Sequence, residues 1–169
     1  FVRAEWRADP PALIFARTPR LPSEPALRLA HFVAESELDG QPAAFDLCVQ
    51  TDRQRWCGRN RGDGPPQGSL DPAPPADAVL DTSLDPVCVL AVPLRLAPGA
   101  KAVLTFATAA SEDAAQLHAI VDKYRQRGHV QRASLMSATL TGIRLRALRI
   151  TPESLWAAQT LTTALLLSL

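Results

Sequence analysis

The chain has 169 residues, 47% of them apolar and 21% charged, which is ordinary for a globular protein and enough to bury a sizeable core. Its net charge of +1 hides an asymmetry: residues 1–85 carry 13 acids and 9 Arg (net −4), and residues 86–169 carry 4 acids and 9 bases (net +5). The two halves therefore differ, but without the clustered basic face that nucleic acid requires, and the 5% aromatic content is low for a freestanding sugar-binding module.

In chain order, Phe1 to Ala8 and Ala12 to Ala16 predict two strands broken by Pro10-Pro11, a hairpin. Thr18 to Pro25 holds three prolines and predicts a loop. Ala26 to Glu35 is apolar on both faces, with Leu27, Leu29 and Val33 on one and Ala30 and Phe32 on the other. Such a strand is expected between two layers. Asp39-Gly40 marks a turn. Ala44 to Thr51 alternates Phe45, Leu47 and Val49 against Asp46, Cys48 and Gln50, the pattern of a half-buried strand with one wet face.

Trp56 leads into WCGRNRGDG, and from there to Ala78 the chain is rich in Pro, Gly and Asp. A structureless stretch of that length is uncommon inside a domain and is often functional. Val87 to Leu96 and Lys101 to Ala110 then predict two long strands joined as a hairpin by Ala97-Pro98-Gly99-Ala100. Ser111-Glu112-Asp113 supplies a helix N-terminus, and Leu117, Ile120, Val121 and Tyr124 lie at i, i+3, i+4 and i+7. Gly128 is expected to end that helix.

A second helix is expected over Val130 to Leu148, with Ala133, Met136, Leu140, Ile143 and Ala147 as a core-facing stripe. Thr151-Pro152-Glu153 starts a third: an N-cap, Pro at N1 and an acid in the first turn. It is expected to run off the chain without a C-cap, buried. Leu155 to Leu169 is apolar but short of the roughly 20 residues a membrane span needs. Both ends read as internal to a larger polypeptide, and no signal peptide is read at Phe1.

The candidate chemistry is thin. Cys48, Cys57 and Cys88 are odd in number and lack CxxC spacing, which fits reduced thiols in a cytosolic setting and no metal. Glu35, Glu37 and Asp39 could pair as acids, although a glycosidase needs carboxylates about 5 to 9 Å apart across a sugar. The solvated strand end is the alternative. His31, His118 and His129 are scattered, and Ser69, Ser83 and Ser134 lack a G-x-S-x-G context. Arg61-Gly62-Asp63 is short enough to occur by chance. The loop Trp56 to Gly64 is the remaining candidate. Arg and Asn bond sugar hydroxyls or phosphate, and Trp stacks on a pyranose. A solvated turn over a core Trp56 is the competing reading.

Five runs, in order, resemble the family-94 glycoside phosphorylases, formerly glycosyltransferase family 36, and most of all the phosphorylase-like regions of cyclic β-1,2-glucan synthases. They are FVRAEW from Phe1, TDRQRWCGRNRG from Thr51, LDPVCVLAVPLRLAPGAKAVLTF from Leu84, IVDKYR from Ile120 and RALRITPESLWAAQTLTTALL from Arg146. The resemblance implies an α+β fold: an antiparallel β-sandwich, part of a galactose-mutarotase-like super-sandwich, followed by two or three helices. It implies a sandwich over 1–110, linker helices over 111–150, and the first helix of an (α/α)₆ barrel over 151–169.

In that family the general acid and phosphate site lie in the barrel, so the resemblance implies no catalytic residue in this chain. It implies a scaffolding or glucan-holding segment, with Trp56, Arg59, Asn60 and Arg61 as candidate sugar contacts; the Pro-rich stretch after them is an insertion relative to the family. Implied partners are a glucan or oligosaccharide, the rest of the parent chain with its barrel, and a second copy in a homodimer. No cofactor, metal, nucleic acid or direct membrane span is expected. The implied place is the cytoplasmic side of a bacterial inner membrane. A protein-interaction module that binds no sugar is the alternative.

Overall fold

The computed structural model describes residues 1–58 and 68–168. Two compact units divide it, Phe1–His129 and Val130–Leu169.

The first unit is a β-sandwich. β1 (Val2–Ala8) and β2 (Pro11–Arg17) form the expected hairpin, with Val2 opposite Arg17 and Ala8 opposite Pro11. β3 (Leu27–Leu38) pairs antiparallel with β2 and is longer than the sequence suggested. β4 (Gln41–Pro42) turns back on the end of β3 after the Asp39-Gly40 turn. Asp39 and Gly40 both have positive φ, at 51° and 78°, the backbone that turn residues tolerate.

β5 (Cys48–Asp52) is shorter than the alternation predicted, since residues 43–47 form no strand. β5 starts a second sheet with β6 (Asp71–Pro72) and β8 (Pro86–Ala91), whereas β7 (Ala78–Leu80) pairs with β1. A short helix, α1 (Arg53–Cys57), follows β5 directly.

The expected 87–96/101–110 hairpin does not form. β8 ends at Ala91 and pairs with β5, while β9 (Ala102–Ser111) pairs with β3 in the other sheet. The Pro-Gly turn itself is present: Ala100 N–H donates to Ala97 C=O at 3.0 Å and Gly99 has φ of 83°. It carries the chain from one sheet to the other. Pro93 has no N–H to give a ladder, and Leu94 and Leu96 are exposed.

The core lies between the sheets. Ala4, Trp6, Leu13 and Phe15 from the first meet Val49 and Leu90 from the second, with Leu29 and Val33 packed against them. Alternation sends Ala12, Ile14, Ala30 and Phe32 to the opposite face. That face is covered by α2 (Ala114–Tyr124), which packs on β3 and β9. β3 is thus buried from both sides, as its pattern required. Leu117 and Val121 are fully buried; each burial is worth about 1.5–3 kcal/mol. Within the expected Ser111-Glu112-Asp113 start, Asp113 is the N-cap, accepting from Gln116 N–H at 2.6 Å.

α3 (Arg127–Ala147) begins at Arg127 and runs through Gly128, so that glycine lies in a first helical turn instead of breaking the chain. Within the second unit, Met136, Leu140 and Ile143 are exposed, so the expected stripe covers no core among the described residues. α4 (Pro152–Leu167) starts as anticipated, with Thr151 Oγ1 accepting from Ser154 N–H and Pro152 leading the first turn. It does have a C-cap, at Ser168, whose N–H reaches Ala164 C=O. Trp156, Leu161, Leu165 and Leu166 are exposed rather than buried.

Candidate functional site

The site is built at the end of β5. Gln50, Thr51 and Asp52 are buried, three polar residues in succession, and each is tied down. Gln50 Oε1 accepts from Thr51 N–H at 3.0 Å and Asp52 N–H at 3.1 Å, while its Nε2 donates to Ser69 C=O at 3.0 Å. One side chain therefore joins β5 to the segment that begins at Gly68. Thr51 Oγ1 donates to Asp81 C=O at 2.6 Å, and Asp81 Oδ1 accepts from Ser83 N–H at 2.9 Å.

Asp52 caps α1, accepting from Gln54 N–H at 2.8 Å. Arg53 donates its N–H to Asp85 C=O at 3.0 Å and pairs its Nε with Asp85 Oδ2 at 3.1 Å. Asp52, Arg53, Gln54, Gly58, Ser83 and Asp85 border an open hollow of ≈ 320 Å³. It offers carboxylate and carbonyl acceptors with guanidinium, amide and hydroxyl donors, the set that holds a hydroxylated ligand. Cys57 also lines it, without a histidine beside it to activate the thiol.

The four residues proposed from the sequence divide. Trp56 is half-buried in the last turn of α1, outside the sandwich core and not on the wall of the hollow. Gly68 sits directly over the backbone of Arg55 and Trp56, where a Cβ would collide. Arg59, Asn60 and Arg61 lie outside the described residues. The sequence reading missed Gln50, Asp52, Arg53 and Asp85. Gln50 stood on the face expected to be wet; the one available signal was the Asp52-to-Gln54 spacing of an N-cap ahead of the loop.

The carboxylates Glu35, Glu37 and Asp39 are structural. The register of β3 against β9 shifts between Val33 and Glu35, a bulge that transfers Glu35 and Glu37 to the face where α2 packs. There Arg127 takes both: Nε to Glu35 Oε1 at 3.2 Å and Nη1 to Glu37 Oε1 at 2.8 Å. Asp39 accepts from Lys101 N–H at 2.8 Å. Carboxylates spent on one guanidinium do not face each other across a sugar.

His31 shares a 2.8 Å hydrogen bond with Thr108 across the β3–β9 pair and stacks on Phe106 at 6.0 Å between centroids. Desolvation lowers its pKa, opposed by a hydrogen bond with the Ala107 backbone. The three cysteines are free. No group of three or more His, Cys, Asp or Glu among the described residues is placed to hold a metal ion. No helix among them is long and apolar enough to cross a membrane.

A comparison with curated proteins returns no match. The glycosyl hydrolase 94 supersandwich domain family matches residues 1–127, which spans the sandwich, α2 and the Arg127 that clasps β3. The chain therefore belongs to the glycosyl hydrolase 94 supersandwich family, and its first 127 residues are that domain.

Proposed function

We propose that this chain is a scaffolding and glucan-contacting segment of a cyclic β-1,2-glucan synthase or a related glycoside phosphorylase. A supersandwich domain of this family is a non-catalytic part of a phosphorylase-type protein, and the acids of β3 are committed to Arg127. The observation that carries the sugar-contacting role is the hollow at α1. It is open and lined by donors and acceptors, and the chain leaves it at Gly58 for the Arg59-Asn60-Arg61 sequence.

In this reading Asp52 and Gln50 hold the platform and Arg53 meets the glucan in the hollow, while Trp56, which is off its wall, and Arg59, Asn60 and Arg61 are the further sugar contacts the resemblance implies. The parent protein would form or phosphorolyse β-glucosidic bonds in an (α/α)₆ barrel, to which residues 151–169 contribute the first helix. A homodimer and a position on the cytoplasmic side of an inner membrane belong to the same reading.

The test is an amide NMR titration with linear β-1,2-gluco-oligosaccharides and, separately, with inorganic phosphate. Saturable shifts over Asp52–Gly58 and Ser83–Asp85 with glucan support the reading. A folded sample with no such shifts at millimolar glucan leaves a scaffold that binds no sugar.

A further inference from the structure

A second hollow, of ≈ 340 Å³, opens where β1 and β7 meet α2, in a part of the sandwich to which the glucan reading assigns nothing. Arg3, Glu5 and Arg7 alternate along β1 and so project from one face. Asp77 and Val79 border it from the β7 side and His118 from α2. The charged lining balances: two guanidinium groups against two carboxylates.

The donors are incompletely used. Arg7 Nε donates to Asp9 C=O at 3.0 Å and Nη2 faces Asp122 at 3.5 Å, but Nη1 is buried without a hydrogen-bond partner among the described residues. Buried donors of that kind are uncommon and costly, and because Nη1 is itself closed to solvent, a ligand in the hollow reaches it only when the Arg7 side chain turns. Arg3 and Glu5 pair at 3.0 Å with both side chains about half exposed, so they can turn to a ligand at little cost.

We infer that this hollow binds a neutral, pyranose-sized polyol. Its volume lies at the small end of the range for ligand sites. A hydroxyl both donates and accepts, so a polyol satisfies arginine and carboxylate together. A phosphate would meet Glu5 and Asp77 as like charges, so a neutral ligand fits better than an anion.

The experiment is an amide NMR titration of the 169-residue chain with D-glucose, D-galactose and D-mannose, with inorganic phosphate as a separate arm. Saturable shifts at Arg3, Arg7, Val79 and His118 with one of the sugars are expected. Arg3→Gln and Glu5→Gln, whose side chains are 63% and 47% exposed, should each weaken binding roughly tenfold in a sample whose amide spectrum stays folded. Shifts with phosphate but with none of the sugars overturn the inference, as do full-affinity variants or no shifts at all. A response at Asp52–Gly58 alone would refute this inference, while the glucan reading stands or falls on its own titration with β-1,2-gluco-oligosaccharides.

Discussion

Arg127 Nη1 lies 2.8 Å from Glu37 Oε1, and this pair ties the first residue of α3 to the turn-side end of the sandwich's longest strand, one residue before β3 finishes at Leu38. The Glu37 side chain is only 10% exposed and that of Glu35 14%, while Arg127 is 54% exposed. Two nearly buried carboxylates thus depend on one cation that keeps part of its hydration. Removing the cation should cost more than a surface pair is worth and less than the 3–5 kcal/mol of a fully buried one. Arg127→Ala is expected to destabilise by about 2–3 kcal/mol in urea unfolding. In that background Glu37→Gln should recover part of the loss, because it removes a stranded charge. A double-mutant cycle with no coupling would show that the contact is incidental.

Much of this clasp was invisible in the sequence. Glu35 and Glu37 are two apart, which places them on one face, but the bulge before Glu35 decides which face, and a bulge leaves no local signature in LRLAHFVAESEL. The β1–β2 hairpin, the two-sided burial of β3 and the start of α4 were legible, because each rests on patterns within a dozen residues. The pairing of β8 and β9 was not. Ala97-Pro98-Gly99-Ala100 specifies a turn, yet turn chemistry does not say whether the flanking strands pair with each other or with β5 and β3. Of the candidate site, Trp56 lies in α1 but off the wall of the hollow; the role of Gln50 depends on a tertiary contact with Ser69 that no local pattern shows, whereas Asp52 left only the local spacing of an N-cap.

Gly68 marks where the chain comes back across α1. A Cβ there would strike the backbone of Arg55 and Trp56, which cannot swing aside as a flexible side chain could. Gly68→Ala should therefore cost about 1–3 kcal/mol, the usual range for overpacking. Its amide shifts should concentrate on α1 and Ser69. Gly128→Ala, where a Cβ meets nothing, is the control and should be neutral or slightly stabilising through helix propensity. Equal effects at the two positions would refute the close approach at Gly68.

Gln50 joins β5 to Ser69 with its amide and to Thr51 and Asp52 with its carbonyl. Gln50→Leu keeps the volume but strands two backbone N–H groups and one C=O. A loss of about 2–3 kcal/mol is expected. Hydrogen exchange should rise at the Thr51 and Asp52 amides first. If protection there is unchanged, the side chain is not what holds the platform.

His31 links stability to pH. Burial between β3 and its neighbours disfavours the imidazolium, so its folded-state pKa falls below the ordinary 6.5. In that window the unfolded chain binds more protons than the folded one, and stability must rise with pH. The penalty is therefore greatest below the lowered pKa, shrinks as pH climbs toward 6.5, and is gone above it. His31→Asn removes the titration and can retain a hydrogen bond to Thr108, at the loss of the Phe106 stack. The urea midpoint of the parent should climb between about pH 5 and 7. The variant's should climb less over the same interval, and the two should run parallel from pH 7 to 8. Carboxylates contribute to the absolute slope of both, so the difference between the curves is the quantity to read. Parallel curves from pH 5 upward would mean that the His31 ring is solvated enough to ionise in place.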